Sequence, residues 1–236
     1  MKLKVLGIIP ARSGSKGIPG KNVRLLNGKP LIQYTAEAAH SSKLVDRLIL
    51  TTDSQTIADT GRNLGIEVPF LRPSELAQDD TPMLPVIEHV LQFLESQAWR
   101  PDIILLLQPT APLRLAEHIE QAISLLLETK CESVVSVVEV PRHYVPDFVL
   151  RLEEGRLKPF LDAPLATRRQ DARPAYSRDG TIYAFRYDMF VAKHNIYGDD
   201  CRPLIIPESL SCNLDTMEDW QMAEKKILEF KGLHQQ

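Results

Sequence analysis

Three cations alternate with three glycines in residues 8–22 (IIPARSGSKGIPGKN), where Arg12, Lys16 and Lys21 stand among Gly14, Gly17 and Gly20. Glycines let backbone N–H groups come close to an anion, while Arg and Lys neutralise its charge from the sides. The chemistry this points to is the binding of a phosphate chain. No acidic residue dilutes it locally, because every charged residue before Glu37 is basic. Two familiar phosphate motifs do not fit. Five residues separate Gly14 from Gly20, and Asn22 follows Lys21, so the P-loop spacing fails; glycines at 14, 17 and 20 also miss the dinucleotide fingerprint.

An apolar run, Val5 to Ile9, precedes the loop and reads as a buried strand that feeds it. Downstream, strand and helix patterns alternate. A helix is expected from Pro30, a strand over 46–52, a helix over 56–64 and a third strand over 67–70. An amphipathic helix follows Thr81 and Pro82, then an apolar strand over 103–107, a helix with Leu115, Ile119, Ala122 and Leu126 on one stripe, and a β-branched strand over 133–140. This is the order of an α/β fold with a mainly parallel sheet and helices on both faces. The central apolar strand empties into QPTAPLR, which places Gln108 where open α/β sheets bind ligands.

Regularity breaks over 141–174, where five prolines flank an alternating piece that turns at Glu154 and Gly155 as a hairpin. This excursion either covers a site or a partner subunit, or is a surface insertion. A strand over TIYAFRY, a short strand over 204–206 and a closing helix with Trp220, Ala223, Ile227 and Phe230 inward complete one expected domain over 1–236.

Composition narrows the class. At 236 residues with a net charge of −3, the chain can bury a large core and carries no general basic field for nucleic acid. No apolar run approaches the roughly 20 residues of a membrane span. Three cysteines without zinc spacing fit a reducing compartment, so a cytoplasmic enzyme is expected.

The loop resembles the signature segment of the acylneuraminate cytidylyltransferases, the synthetases of CMP-sialic and related CMP-nonulosonic acids. PLIQYT, ILTTDSQTIAD, RPSELAQDDTP and LLLQPTAPLR continue that resemblance in order. It implies a Rossmann-like nucleotidyltransferase fold, CTP and a sugar acid as substrates, Mg²⁺ as cofactor, and a homodimer in which 141–174 forms the dimerisation arm. The implied reaction is attack of an anomeric hydroxyl on the α-phosphate, a displacement that needs mainly positioning and charge neutralisation.

By the same resemblance Arg12 and Lys21 are catalytic and hold the phosphates, Ser15 and Lys16 belong to the cradle, and Asn22 reaches the nucleotide. Arg72 reads the cytosine, although on local grounds it could instead pair with Glu75. Gln108, Arg169 and Tyr183 contact the sugar acid; a solvated Arg169 or a core Tyr183 is the plainer alternative. Asp215 completes the catalytic set as a metal ligand, or simply opens the last helix. The chain departs from the family at Asn213, where an amide replaces the first metal-binding aspartate, so the site should hold metal more weakly or lean on another carboxylate. It departs again at Asp179, where relatives usually have Asn; a charge there is expected to favour a sugar carrying an amino or other donor group. The rival readings are a transferase of the same fold with another acceptor, such as 3-deoxy-octulosonate, and a non-catalytic nucleotide-binding module.

Overall fold

The computed structural model describes residues 2–161, 168 and 171–233. β1 (Val5–Pro10) leads into the glycine-rich loop and a small ribbon, β2 (Leu25–Leu26) with β3 (Lys29–Pro30), before α1 (Leu31–Ser41). Then come β4 (Arg47–Thr51), α2 (Gln55–Asn63), α3 (Met83–Ser96), β5 (Ile103–Leu106), α4 (Ala116–Thr129) and β6 (Ser133–Glu139). A hairpin of β7 (Leu150–Glu153) and β8 (Arg156–Pro159) turns at Glu154 and Gly155, both with positive φ, as its Glu-Gly pair predicts. β9 (Tyr176–Arg186), α5 (Tyr187–Lys193), β10 (Cys201–Ile205) and α6 (Met217–Leu233) end the described chain.

The main sheet runs β10-β6-β9-β5-β1-β4. β1 pairs in parallel with β4 and β5, and β10 with β6, while β9 is antiparallel to both β5 and β6. Two-residue periodicity divides the core. Val5, Ile9, Ile103 and Leu105 pack on one face with Ile32 and Ala36 of α1, Ile57 of α2, and Ile119 and Leu126 of α4. Leu6, Ile8, Ile104 and Leu106 pack on the other with Ile87, Val90 and Leu94 of α3 and Phe190 of α5. A third cluster lays Trp220, Ala223 and Ile227 of α6 against Ile18 and Leu214, so the last helix is packed directly on the loop.

Two expectations are corrected. Residues 67–70 form no strand: Glu67 makes a single bridge to Ile49, with Leu50 N donating to Glu67 O and Glu67 N to Leu48 O, and Pro69 has no N–H with which to continue the ladder. α5 was not foreseen, because its seven residues begin on the last tyrosine of TIYAFRY, with no break that separates strand from helix.

Candidate active site

β1 and β5 are parallel neighbours, so both end at the same edge of the sheet. Their exits face each other across a cleft of about 470 Å³. The loop contributes Arg12, Ser15, Lys16, Lys21 and Asn22 to its lining, the β5 exit contributes Gln108 and Thr110, and Asn213 and Asp215 come from the segment before α6. Eight of these nine residues are ones the sequence singles out. Thr110 is the addition, and its hydroxyl is buried without a hydrogen-bond partner.

The loop is tied down by acids that are distant in sequence. Asp53, just past β4, accepts from Ser13 N at 2.8 Å and Ser13 Oγ at 2.5 Å. Burial works against its charge, but the bonds from Ser13 outweigh it and leave the carboxyl below its usual pKa. Asp79 lies 2.5 Å from Arg12 Nη1 and 2.6 Å from Lys16 Nζ. Lys16 and then Arg12 hold its carboxyl down. Asn22 is buried and gives its Nδ2 to Arg12 O at 2.9 Å, so it braces the loop as well as lining the cleft. Lys21 donates to Leu214 O at 2.5 Å and stands 3.5 Å from Asp215 Oδ1. Gly17 lets this approach happen: a Cβ there would sit 2.0 Å from Asp215 O.

Asp215 precedes α6, whose first turn is capped by Thr216 and Asp219. Asp219 Oδ2 accepts from Asp215 N at 3.1 Å and Thr216 N at 2.7 Å, while Asp219 N donates to Thr216 Oγ1 at 3.2 Å. This is the T-x-x-D form of a capping box, legible in TMED but not singled out from the sequence. Leu214 N also donates to Thr110 O at 3.1 Å, which joins the segment to the β5 exit. Asn213 Nδ2 donates to Asp215 Oδ2 at 2.8 Å, and the Asp215 side chain is 66% exposed. Among the described residues no group of three His, Cys, Asp or Glu side chains could hold a metal. Asp215 and Asn213 would bring one carboxylate and one amide oxygen, a set that suits Mg²⁺ when phosphate and water oxygens fill the other positions.

On the opposite wall the expected residues divide. Gln108 lines the cleft, with its Oε1 3.2 Å from where a Cβ on Gly180 would lie. Asp179 does not carry charge into the cleft as expected. It is buried, and its carboxylate accepts from Thr181 N at 3.1 Å and Thr181 Oγ1 at 2.7 Å. Tyr183 is a core residue packed edge-on to Tyr197, and burial raises its pKa. Arg72 is neither a surface residue paired with Glu75 nor part of the cleft lining. It is buried and donates to Leu76 O and Thr51 O, with its Nε left without a partner. Arg169 lies outside the described residues.

Sequence reasoning passed over Arg114, the last residue of QPTAPLR. It is 3% exposed, and donates from Nε to Thr181 O at 2.6 Å, from Nη1 to Thr35 Oγ1 at 2.7 Å and from Nη2 to Gln108 O at 2.6 Å. Burial lowers its pKa to about 9 against the pull of Asp179. Its apolar neighbours and its place beyond a proline turn gave no local sign of that burial.

A mainly parallel sheet with a cationic loop at one strand exit and an amide at the next defines a nucleotide-binding α/β fold of the transferase type. Residues 6–199 match the cytidylyltransferase family model, and the chain belongs to that family of nucleotidyltransferase enzymes. It is 37% identical over 227 residues to the CMP-N,N'-diacetyllegionaminic acid synthase of Legionella pneumophila, covering 94% of this chain and 96% of the relative. It is 31% identical to the N-acylneuraminate cytidylyltransferase of Escherichia coli, covering 94% of this chain and 52% of that longer protein. A solved CMP:2-keto-3-deoxy-manno-octonic acid synthetase complexed with CTP shares the fold, with a TM-score of 0.70 at 16% identity over 96% of this chain and 99% of that one.

Proposed function

We propose that the protein transfers CMP from CTP to the anomeric hydroxyl of a nonulosonic acid of the legionaminic or sialic type. The hydroxyl oxygen forms a bond to the α-phosphorus, the bond to the bridging oxygen of the β-phosphate breaks, and pyrophosphate and the hydroxyl proton leave. The observation that carries this reading is one cleft in which Arg12, Lys16 and Lys21 face Gln108, with Asp215 beside them. The cations would neutralise charge spread over the triphosphate, and Gln108 would orient the acceptor. The relative at 37% identity points first to a diacetylated legionaminic acid.

Asp215 and the Asn213 amide oxygen would hold Mg²⁺, which supplies charge neutralisation to phosphate oxygens when bound. Asn213 now turns its nitrogen to Asp215. A metal shared by the two requires the amide reversed and adds no charge on that side, so Asn213→Asp is expected to lower the Mg²⁺ concentration for half-maximal activity several-fold. An unchanged Mg²⁺ dependence would count against this ligand pair.

A homodimer is also part of the proposal, with 141–174 as the arm of a single catalytic domain. Leu150, Leu152 and Leu157 are exposed, and the pairing of Leu152 with Leu157 and Leu150 with Pro159 puts them on one face of the hairpin. Light scattering at assay concentration should give twice the 26.7 kDa chain mass. No described helix is long and apolar enough to cross a membrane, and the free Cys131, Cys201 and Cys212 suit the cytoplasm.

The function is tested by incubating the protein with CTP, Mg²⁺ and a panel of acids comprising diacetyllegionaminic, N-acetylneuraminic and 2-keto-3-deoxy-octonic acids, then weighing the product by mass spectrometry. CMP-legionaminate or CMP-sialate is expected. A CMP-sugar from the octonic acid alone would replace the proposed acceptor.

A further inference from the structure

We infer that Arg114 is a positioning residue for the acceptor side of the cleft, acting through Gln108. The inference rests on the function proposed above and extends it to a residue that touches neither substrate. Gln108 follows β5 and Gly180 lies in β9, 72 positions further along the chain. Antiparallel pairing of Leu106 with Tyr183 brings them to the same end of the sheet, but the ladder between the two strands ends there. Beyond it the β5 exit turns towards α4, and no ladder bond fixes how far Gln108 stands from β9.

The Arg114 guanidinium spans this gap. One edge takes Gln108 O and another takes Thr181 O, each at 2.6 Å, and the third bond, to Thr35 Oγ1, anchors the group on α1. A planar fork with donors in fixed directions can hold two carbonyls at a set separation; an ammonium on a flexible stem cannot. With its carbonyl held from the buried side, Gln108 extends its side chain into the cleft, where Oε1 lies 3.2 Å from the place a Cβ on Gly180 would take. Gly180 has φ +77°, so the wall is set by a backbone conformation with no side chain to adjust. Displacement of a substrate-orienting group by about an ångström costs on the order of a hundredfold in rate.

Arg114→Lys keeps the charge and loses the fork. It is compared with Thr35→Val, which removes the one bond that does not lead to the cleft. Pyrophosphate release is measured with CTP and the sugar acid varied separately, well below either variant's melting temperature. Arg114→Lys is expected to lower kcat/KM for the acid by roughly thirtyfold, largely through KM, while KM for CTP stays within about twofold. Thr35→Val, which loses one anchor but leaves both carbonyls on the fork, should lower Tm and raise KM for the acid by less than Arg114→Lys does. In the background of Gln108→Ala, Arg114→Lys should cost little more, because the residue it acts through is gone.

Equal rises in both KM values, or loss of Tm with unchanged kinetics, would make Arg114 a stability element only and overturn the inference. Should Arg114→Lys not be recovered folded, the wild-type protein decides. The buried Arg114 Nε–H signal in ¹⁵N spectra is expected to shift when the sugar acid is added to the protein with CDP, and not with CDP alone; no shift on adding the acid overturns it. A wild type inactive on every acid sinks the proposed function and this inference with it. An active wild type with an unaltered acid KM in Arg114→Lys sinks only the inference.

Discussion

The two sides of the cleft are built by different means. The phosphate side comes from eleven consecutive positions, 12–22, and its cations are partly exposed: the Lys16 side chain is 80% accessible and Arg12 31%. The acceptor side joins residues from β5, β9 and α1 through a guanidinium that water does not reach. One side is a concentration of charge on a braced loop, and its cations that reach solvent are screened by salt. The other is a buried network in which one guanidinium holds two carbonyls and a hydroxyl, where an unmade bond costs much more than a made one returns. A triphosphate, with charge spread over several oxygens, suits the first, and a sugar that must be held in one orientation suits the second.

The largest break in this contrast should come from Gly17→Ala. The new methyl would meet Asp215 O at 2.0 Å, a backbone atom that cannot swing away, so the loop and the segment before α6 must separate. We expect activity to fall by about two orders of magnitude with a modest loss of Tm; a variant with wild-type kcat would show that this contact does not set the geometry of the phosphate side.

Asp179→Asn probes the acceptor side. The amide can still accept from Thr181, but Arg114 then has lost the carboxylate that opposes its desolvation. A destabilisation of about 2 kcal/mol is expected, seen as a Tm lower by about 4–8 °C. Relative rates across the acid panel should not change, because the Asp179 carboxylate is turned to Thr181; a changed order of sugars would restore its expected role in specificity.

The smallest effect belongs to Asp53→Asn. The folded-state pKa of Asp53 is depressed, so its stabilisation is present above the unfolded value near 4 and is lost as pH falls through the lower folded value. Discounted for its partial exposure, it amounts to about 1 kcal/mol or less. The Tm difference between wild type and variant should be steady from pH 7 to 5 and close below about pH 4. A gap that widens on acidification would contradict the anchoring of Ser13.

Legibility of the site in the sequence follows the same division. The cations and Gln108 stand where strand exits predicted, because phosphate binding concentrates charge locally and a strand end is marked by the close of an apolar run; Asp215, placed by resemblance, lines the same cleft. Arg72, Asp179 and Tyr183 were placed by resemblance, and the structure buries all three. Whether a polar residue points into a cleft or into the core depends on partners at distant positions, such as Thr51 for Arg72 and Thr181 for Asp179. The order of strands and helices was legible from periodicity, while 67–70 failed because a short apolar run with a proline looks like a strand until its neighbour is known.

By itself, the sequence determined the alternating α/β order, the basic loop after the first strand and the family to which both belong, since periodicity and local charge are properties of neighbouring residues. Tertiary structure alone decided that Asp53 and Asp79, 40 and 67 positions from their partners, would brace that loop. It also decided that Arg114 would be buried as the link between Gln108 and Thr181. Such pairings depend on which strand ends the sheet brings together, and that is settled by packing over the whole core.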